Sequence, residues 1–402
     1  MQPALRLEPS PAARQRILLT GGRAPVALDL ARLFRAAGHT VFMAESREPI
    51  LSQSCRAIER HFTVPAPNRD VDAYGRALGA IARDHAIDLV LPTCEELFHV
   101  SRARAHLPAS CRLPVEPIET LRPIHDKWAF NQGAERLGLP VPKTILARTP
   151  AEAADAARTL GSCVLKPAYS RFAVNVVFAD GGRRDRARIA KLPIDATRPW
   201  LVQERVRGPE YCSYGFAVNG ELKVHCVYDH AFTAGAGAGV SFEAIDHPAI
   251  ERWIRDFVRA HRFTGQLAFD FIVAADGRPY ALECNPRSTS GLHLFQVGDG
   301  LEVAFTDPDA VTGTIKPPAG RLAMISAVAM CVYGLPSVTS LARAREWMRI
   351  VRNARDAIGD PINERPLVRQ LQALFSLWKD ARRDGTTILE ASTADIEWNG
   401  EA

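Results

Sequence analysis

The chain has 402 residues, 47% of them apolar and 24% charged, and its 50 basic and 45 acidic side chains leave a formal net charge of +5. That balance is ordinary for a globular protein of two to four domains, and it excludes a disordered or fibrous chain. It also lacks the concentrated basic footprint of a nucleic-acid binder.

The eight cysteines form no CxxC pair, and most lie in apolar runs such as VLPTC and GSCVL. Reduced, buried thiols of a cytoplasmic protein are expected. The opening MQPALRLEPSPAARQR is too polar for a secretory signal. The longest near-apolar run, residues 322–335, is shorter than the roughly 20 residues that a bilayer span needs. It reads as core, and no membrane partner is expected.

Residues 1–13 read as an extension. Residues 15–46, QRILLTGGRAPVALDLARLFRAAGHTVFMAES, run strand, glycine turn, amphipathic helix, glycine stop and strand. A helix over 71–85 and a strand over 87–93 follow. Residues 14–115 therefore read as a small doubly wound α/β domain. Gly21 and Gly22 lack the later glycines of a dinucleotide fingerprint, so no nicotinamide cofactor is expected. Glu45 ends the second strand, as a structural or substrate-facing acid.

In 126–147, Asp126 caps a helix, Gly138 ends it, and Pro140 and Pro142 block its continuation into the next strand. Lys166 ends the apolar strand CVLKP. A buried ammonium is costly, and a phosphate partner supplies the reason for it. The loop after it, AYSRFAVN, has no glycine. An apolar strand then runs to Val202, followed by the link Gln203-Glu204-Arg205-Val206 and a turn at Gly208. The stretch 233–242, TAGAGAGVSF, reads equally as a ligand-approaching loop or a flexible surface loop. A helix over 248–262 leads into the next strands.

Residues 266–292, QLAFDFIVAADGRPYALECNPRSTSGL, are the most informative. Two strands are joined by an Asp-Gly turn. Alternation puts Glu283, Asn285 and then Arg287 on one face, and a hairpin register brings Asp270 opposite them. Carboxylate and amide oxygens so gathered suit a hard cation such as Mg²⁺ together with phosphate, and Arg287 suits a transferring phosphoryl group. Ser288, Thr289, Ser290 and His293 follow. His293 reads first as a packed or capping residue and second as an acceptor contact.

Beyond 315, residues 341–358 and 365–383 read as helices. Leu371, Leu374, Phe375 and Trp378 form one apolar stripe, expected to face the core. The closing STADIEWNGEA has no functional account.

The set Asp270, Glu283-x-Asn285-Pro286-Arg287 resembles the metal-binding end of the ATP-grasp superfamily, in its carbamoyl-phosphate-synthase-like, carboxylate–amine ligase branch. DKWAF followed by GLPVPKT at 126–144 resembles that fold's entry. The resemblance covers about 14–312. It implies an ATP-grasp fold, α/β and α+β, behind an N-terminal doubly wound pre-ATP-grasp domain and before a mostly helical C-terminal region. Its divisions would be 14–115, a first lobe 116–205, a second lobe with the metal site 206–315, and 316–402.

It implies ATP with Mg²⁺ or Mn²⁺, two ions held by Asp270, Glu283 and Asn285. Lys166 and Lys127 would face phosphate. Gln203, Glu204 and Val206 would form the adenine hinge, with Glu204 accepting from the exocyclic amine and Glu210 taking the ribose hydroxyls. Lys166 and Arg287 would serve transfer. The family's glycine-rich phosphate loop is replaced here by Ser170 and Arg171. The activity implied is an ATP-dependent ligation of a small-molecule acid to an amine through an acyl phosphate. Phosphoryl transfer without ligation and a non-catalytic nucleotide sensor are the alternatives. A homodimer is compatible with all three.

Overall fold

The computed structural model describes residues 14–168, 176–235 and 238–398. Ser170, Arg171 and the centre of the 233–242 loop lie outside the described residues.

Four parallel strands open the fold: β1 (Arg16–Thr20), β2 (Thr40–Glu45), β3 (Ile58–Thr63) and β4 (Leu89–Leu91), in the order β3-β2-β1-β4. Leu18 lies in register with Phe42 on one side and Val90 on the other. The helix Pro25–Ala36 starts with Pro at its first turn, where no amide is needed, and buries most of its length. The helix Val71–Asp84 is capped by Asp70, which accepts from the Ala73 amide at 2.8 Å. Strand β3 was not expected. Its sequence, IERHFT, is a half-exposed edge with no apolar alternation to reveal it.

A second, antiparallel sheet joins β5 (Thr144–Ala147), β6 (Cys163–Pro167), β7 (Val177–Ala179) and β8 (Trp200–Glu204), in the order β5-β8-β6-β7. Leu165, Trp200 and Val202 pack there against Ala153 and Ala157 of the helix Pro150–Leu160.

The third sheet is the largest. It contains β9 (Glu210–Val218) and β10 (Glu221–Asp229). A short pair, β11 (Thr233–Ala234) and β12 (Ala238–Gly239), follows outside it. It continues with β13 (Ser241–Ile245), β14 (Gly265–Val273), β15 (Pro279–Asn285), β16 (Leu322–Met324) and β17 (Arg355–Asp356), in the order β15-β14-β9-β10-β13-β16-β17. The last two strands come from the region expected to be mostly helical, so this sheet runs past residue 315. The helix expected over 341–358 accordingly ends at Asn353.

The helix Pro248–His261 fixes which way β14 faces. Its buried residues include Ile250, Trp253 and Phe257. The Trp253 ring meets Phe269 at 5.2 Å and Phe271 at 5.3 Å. Alternation along β14 then turns Asp270, between the two phenylalanines, to the opposite face.

Two expectations for the C-terminal region fail. Leu371, Leu374, Phe375 and Trp378 are 55%, 42%, 61% and 41% exposed, and only Ala381 of their helix, Pro366–Asp384, is buried. Phe375 and Trp378 stack on each other at 5.7 Å, with Lys379 and Arg382 over their rings. These cations lie over the two aromatic rings, while the stripe as a whole stays exposed. Of the run 322–335, the strand and Met330 are buried, whereas Cys331, Val332, Tyr333 and Leu335 are exposed. Among the described residues no helix is long and apolar enough to cross a membrane.

One buried charge ties three distant parts of the chain together. Asp29, fully buried in the helix Pro25–Ala36, accepts from Arg355 of β17 at 2.8 Å, and its other oxygen lies 2.6 Å from His293 Nδ1. Arg32 also lies 2.9 Å from Asp29. Burial alone would raise this carboxyl. Arg355 and His293 reverse that and hold it well below the usual carboxylate range. Removing one partner from such a cluster leaves an uncompensated charge. Asp29→Asn should therefore cost about 3–5 kcal/mol in urea unfolding, with the m-value unchanged.

Candidate active site

The β14–β15 pairing sets Asp270 opposite Glu283, with a bulge immediately after Asp270. A bulge at this point bends the strand and re-aims the side chain. Asn285 donates to Glu283 Oε1 at 3.4 Å, and Arg287 reaches Asn285 Oδ1 at 3.4 Å. Lys127, buried in the first turn of the helix Lys127–Arg136, lies 3.3 Å from Glu283 Oε2. That helix begins where it does because Asp126 accepts from the Ala129 amide at 2.8 Å. Lys166, in β6 and 9% exposed, is within electrostatic reach of Glu283, Lys127 and Asp270. Six of the expected residues therefore converge: Lys127, Lys166, Asp270, Glu283, Asn285 and Arg287.

The charges are mutually dependent. Burial and the facing Glu283 both raise the Asp270 carboxyl. Burial works the same way on Glu283, but Lys127 and Lys166 outweigh it and hold Glu283 low. Burial lowers Lys166 to about 8; Lys127 adds to that, while Glu283 and Asp270 pull against it. Two carboxylates this close cannot both stay ionised without cations beside them.

The expected hinge residues are placed less simply. Gln203 is buried in β8 and donates to Thr144 Oγ1 at 3.0 Å, so its amide is already engaged. Glu204 Oε2 accepts from the Lys143 amide at 3.4 Å, and the Glu204 amide donates to the Lys143 carbonyl at 2.8 Å. Val206 lies in the link between β8 and β9. The turn that follows needs Gly208, because a Cβ there would sit 1.8 Å from the Val273 carbonyl oxygen. Glu210 opens β9 as an exposed residue, in register with Ile272. Its carboxylate is one of the charges that act on Cys212, together with Asp270.

Sequence reasoning missed the residues at the carboxyl ends of the parallel strands, which adjoin Arg287. Glu95 lies 3.8 Å from Arg287. Glu96 Oε1 accepts from Thr20 Oγ1 at 2.8 Å and from the Thr93 amide at 2.9 Å. Gly21 has φ +76°, and a Cβ there would fall 2.5 Å from Thr93 Oγ1. The TCEE run at the end of β4 was the available signal.

Glu45 proves structural. It accepts from Arg23 Nε at 3.1 Å, and Arg23 also donates to Asp395 at 2.8 Å. The closing segment thus lies against these strand ends: Ser46 donates to Asp395 at 2.7 Å, and the Trp398 ring stacks on Phe98 at 4.8 Å. His293, bound to Asp29, is a packed residue and no acceptor contact. Ser288 is buried and donates to Gln266, and Thr289 lies against Tyr228.

Among the described residues no group of three or more His, Cys, Asp or Glu is arranged to hold a metal ion. The site instead offers two carboxylates and one amide oxygen. That set fits a cation which completes its shell with phosphate oxygens and water, as Mg²⁺ does.

Residues 124–291 match the ATP-grasp domain. The chain carries an ATP-grasp domain. It is 23% identical over 283 residues to the carbamoyl phosphate synthase large chain of Thermus thermophilus, covering 67% of this chain but only 27% of that one. The chain thus spans about a quarter of the length of that relative. Its fold is similar to N5-carboxyaminoimidazole synthetase from Staphylococcus aureus, with a TM-score of 0.62, 14% identity, and 79% and 84% of the two chains covered. It is also similar to L-amino acid ligase from Bacillus licheniformis, with a TM-score of 0.57, 16% identity, and 75% and 78% covered. At these identities the likeness establishes the ATP-grasp fold alone.

The coupling between the opposed carboxylates is directly measurable. In Glu283→Gln the charge that raises Asp270 is gone, so Asp270 should titrate lower than in the parent protein. Lys166 loses its main attraction and should fall below about 8. Carbon-13 NMR titration of the Asp270 carboxyl and the Lys166 side chain reads both directions. An unmoved Asp270 would mean the two groups are not coupled.

Proposed function

We propose that the protein is an ATP-dependent ligase that activates a carboxylate as an acyl phosphate and joins it to an amine, releasing ADP and phosphate. The observation that carries the reading is the opposed pair Asp270 and Glu283, set between Lys127, Lys166 and Arg287. This is an acidic pair made for cations beside cationic groups made for phosphate. The comparisons support the class: the relatives with matching folds include a synthetase and an amino acid ligase, and the staphylococcal synthetase has also been solved with ADP. In this reading residues 14–115 are the pre-ATP-grasp domain, and 116–205 and 206–315 are the two lobes. The segment from 316 completes the large sheet.

ATP with two Mg²⁺ or Mn²⁺ ions would supply the transferable phosphoryl group and the charge neutralisation that its transfer requires. The chain's own residues do the rest. Asp270, Glu283 and Asn285 offer the oxygen atoms that hold cations. Lys127, now on Glu283, and Lys166 would face phosphate, with the carboxylates' charge met by the cations they would hold. A lysine with its pKa at about 8 is still mostly protonated at neutral pH and serves as a cation.

Glu204 and the backbone of Val206 would hold adenine and Glu210 the ribose hydroxyls, while Gln203 backs the hinge through Thr144. Arg287 lies between the metal end and Glu95, where the acceptor would meet the phosphoryl group. The acceptor carboxylate oxygen bonds to the γ-phosphorus as the bond to ADP breaks. The amine nitrogen then bonds to the acyl carbon as phosphate leaves, and the amine gives up a proton. The acid and the amine are small molecules. The strand ends beside Arg287, with Glu95 and Glu96, are the place for them.

Three measurements test this. With ATP, Mg²⁺ and a panel of acids and amines, chromatography should find ADP and phosphate; AMP with pyrophosphate as the main product would rule the mechanism out. Hydroxylamine in place of the amine should trap a hydroxamate. A stable phosphorylated product without hydroxamate would mean a kinase. Glu283→Gln should lose turnover by about 10³-fold or more with its fold intact.

Lys166→Ala should weaken ATP more than adenosine in calorimetric titration, since its charge serves phosphate. Equal weakening would assign it to packing.

A further inference from the structure

The helix Pro366–Asp384 is turned the opposite way from an ordinary surface helix, which buries its apolar stripe and shows its polar face to water. Here the face toward the rest of the protein carries Gln370, which donates to Ser326 Oγ at 3.2 Å, and Asp380, which pairs with Arg47 at 2.6 Å. The buried Ala381 lies with them. The other face carries Leu367, Leu371, Leu374 and Trp378, at i, i+4, i+7 and i+11, with Val368 and Phe375 beside them. Leu367 and Val368 are 53% and 47% exposed, so all six large side chains stand in water. Single exposed apolar residues are normal, but a contiguous stripe of them marks an interaction surface.

The charges of the helix say what covers it. Arg369, Lys379, Arg382 and Arg383 stand against Asp380 and Asp384. Both acids are already met, Asp380 by Arg47 and Asp384 by Arg383 at 2.9 Å. Among the described residues this leaves Arg369, Lys379 and Arg382 as positive charge without an acidic partner. Lys379 and Arg382 lie over Phe375 and Trp378 at 6.0 and 4.9 Å, so that charge sits on the stripe itself. Along one edge Arg369, Lys379 and Arg383 line a groove of about 700 Å³ with Phe375. The acids of that groove, Glu48 and Asp380, are engaged by the Thr63 hydroxyl and by Arg47. A second copy laid stripe to stripe would bring two positive helices together, which like-charge repulsion opposes. A ridge of Leu, Phe and Trp flanked by Lys and Arg instead matches the boundary of an anionic bilayer, where apolar side chains sit at the acyl edge and cations sit on phosphate.

We propose that the helix Pro366–Asp384 docks the protein on the surface of an anionic lipid bilayer. The Leu, Phe and Trp side chains of the stripe enter the boundary between headgroups and acyl chains, and Arg369, Lys379 and Arg382 meet lipid phosphates. The helix lies in the plane of the membrane, so docking needs no spanning segment. Its polar face stays on the protein throughout. The docking does not depend on the ligase reading, and its test needs no turnover.

The test is flotation of the full chain with lipid vesicles. Vesicles of phosphatidylglycerol and phosphatidylcholine should carry the protein with them. Phosphatidylcholine alone should bind at least about tenfold more weakly, which is 1.4 kcal/mol. High salt should weaken binding to the anionic vesicles. One cation near such a surface is worth roughly fivefold in binding, so Lys379→Gln with Arg382→Gln should lose about tenfold or more. Leu371→Ser with Phe375→Ser should lose at least as much. All four side chains are exposed, so the melting curves should match the parent's. A Leu371→Ser, Phe375→Ser protein that floats like the parent would place any lipid contact elsewhere and overturn the proposal. Equal binding to neutral vesicles would overturn the anionic surface. If the parent does not float, the proposal fails, and sedimentation velocity without lipid then separates the other occupants. A dimer lost in Phe375→Ser would mean a second copy, and a monomer would leave the stripe to another protein.

Discussion

Two carboxylates facing each other across one strand pair set the terms for the rest of the structure. Asp270 and Glu283 are on adjacent strands of the same sheet, so no loop motion can separate them. Their repulsion must be met by cations, and the fold supplies these from three separate elements. Lys127 comes from a helix start, Lys166 from the second sheet and Arg287 from the chain just beyond β15. An arrangement so demanding of counter-charge is poor at holding itself together, because buried ion pairs return little net stability. In the proposed reading, metal and phosphate would supply the counter-charge that the arrangement demands. The helix Pro248–His261 makes the arrangement possible from behind, by taking Phe269 and Phe271 into the core and turning Asp270 outward.

The legible parts of the sequence were those where one local rule acts alone. Alternation along 266–287 gave the opposed carboxylates. Asp126 marked a helix start, and the strand–glycine–helix order over 15–46 marked the parallel sheet. What was hidden needed partners distant in sequence. Strand β3 shows no apolar alternation because it is an edge, and an edge can be read only from the strand beside it. The strands β16 and β17 are short pieces, the first paired with β13 and the second with β16, so their sequence reads as part of a helical region. The stripe at Leu371–Trp378 has the right spacing for a core face, yet spacing says nothing about what lies opposite. Here the stripe stays exposed, with Lys379 and Arg382 of the same helix over its two aromatic rings.

Within the site the same division holds. Asp270, Glu283, Asn285 and Lys166 sit in strands whose alternation fixes their direction. Glu95, Glu96 and Thr20 come from two strand ends that only the parallel pairing of β1 and β4 brings together. Glu45 stayed open between a structural and a substrate-facing role because its partners, Arg23 and, through Arg23, Asp395, could not be placed from sequence. Gln203 reads as the start of the link after Val202, whereas pairing with the strand Thr144–Ala147 keeps it within β8 and sets its amide on Thr144.

The contact between Arg23 and Asp395 joins residues 372 positions apart, and Arg355 reaches Asp29 across 326. Chains emerge from the ribosome N-terminus first, at about 5–20 residues per second, and domains generally fold as they appear. The parallel sheet can therefore pair its strands early, but Asp29 must wait for Arg355 to be made. Until then Asp29 lacks His293 and Arg355, two of the groups that pair with it. The sheet's strand ends stand open until Asp395 and Trp398 arrive. The parallel-sheet region is thus completed only by residues more than 300 positions further along the chain.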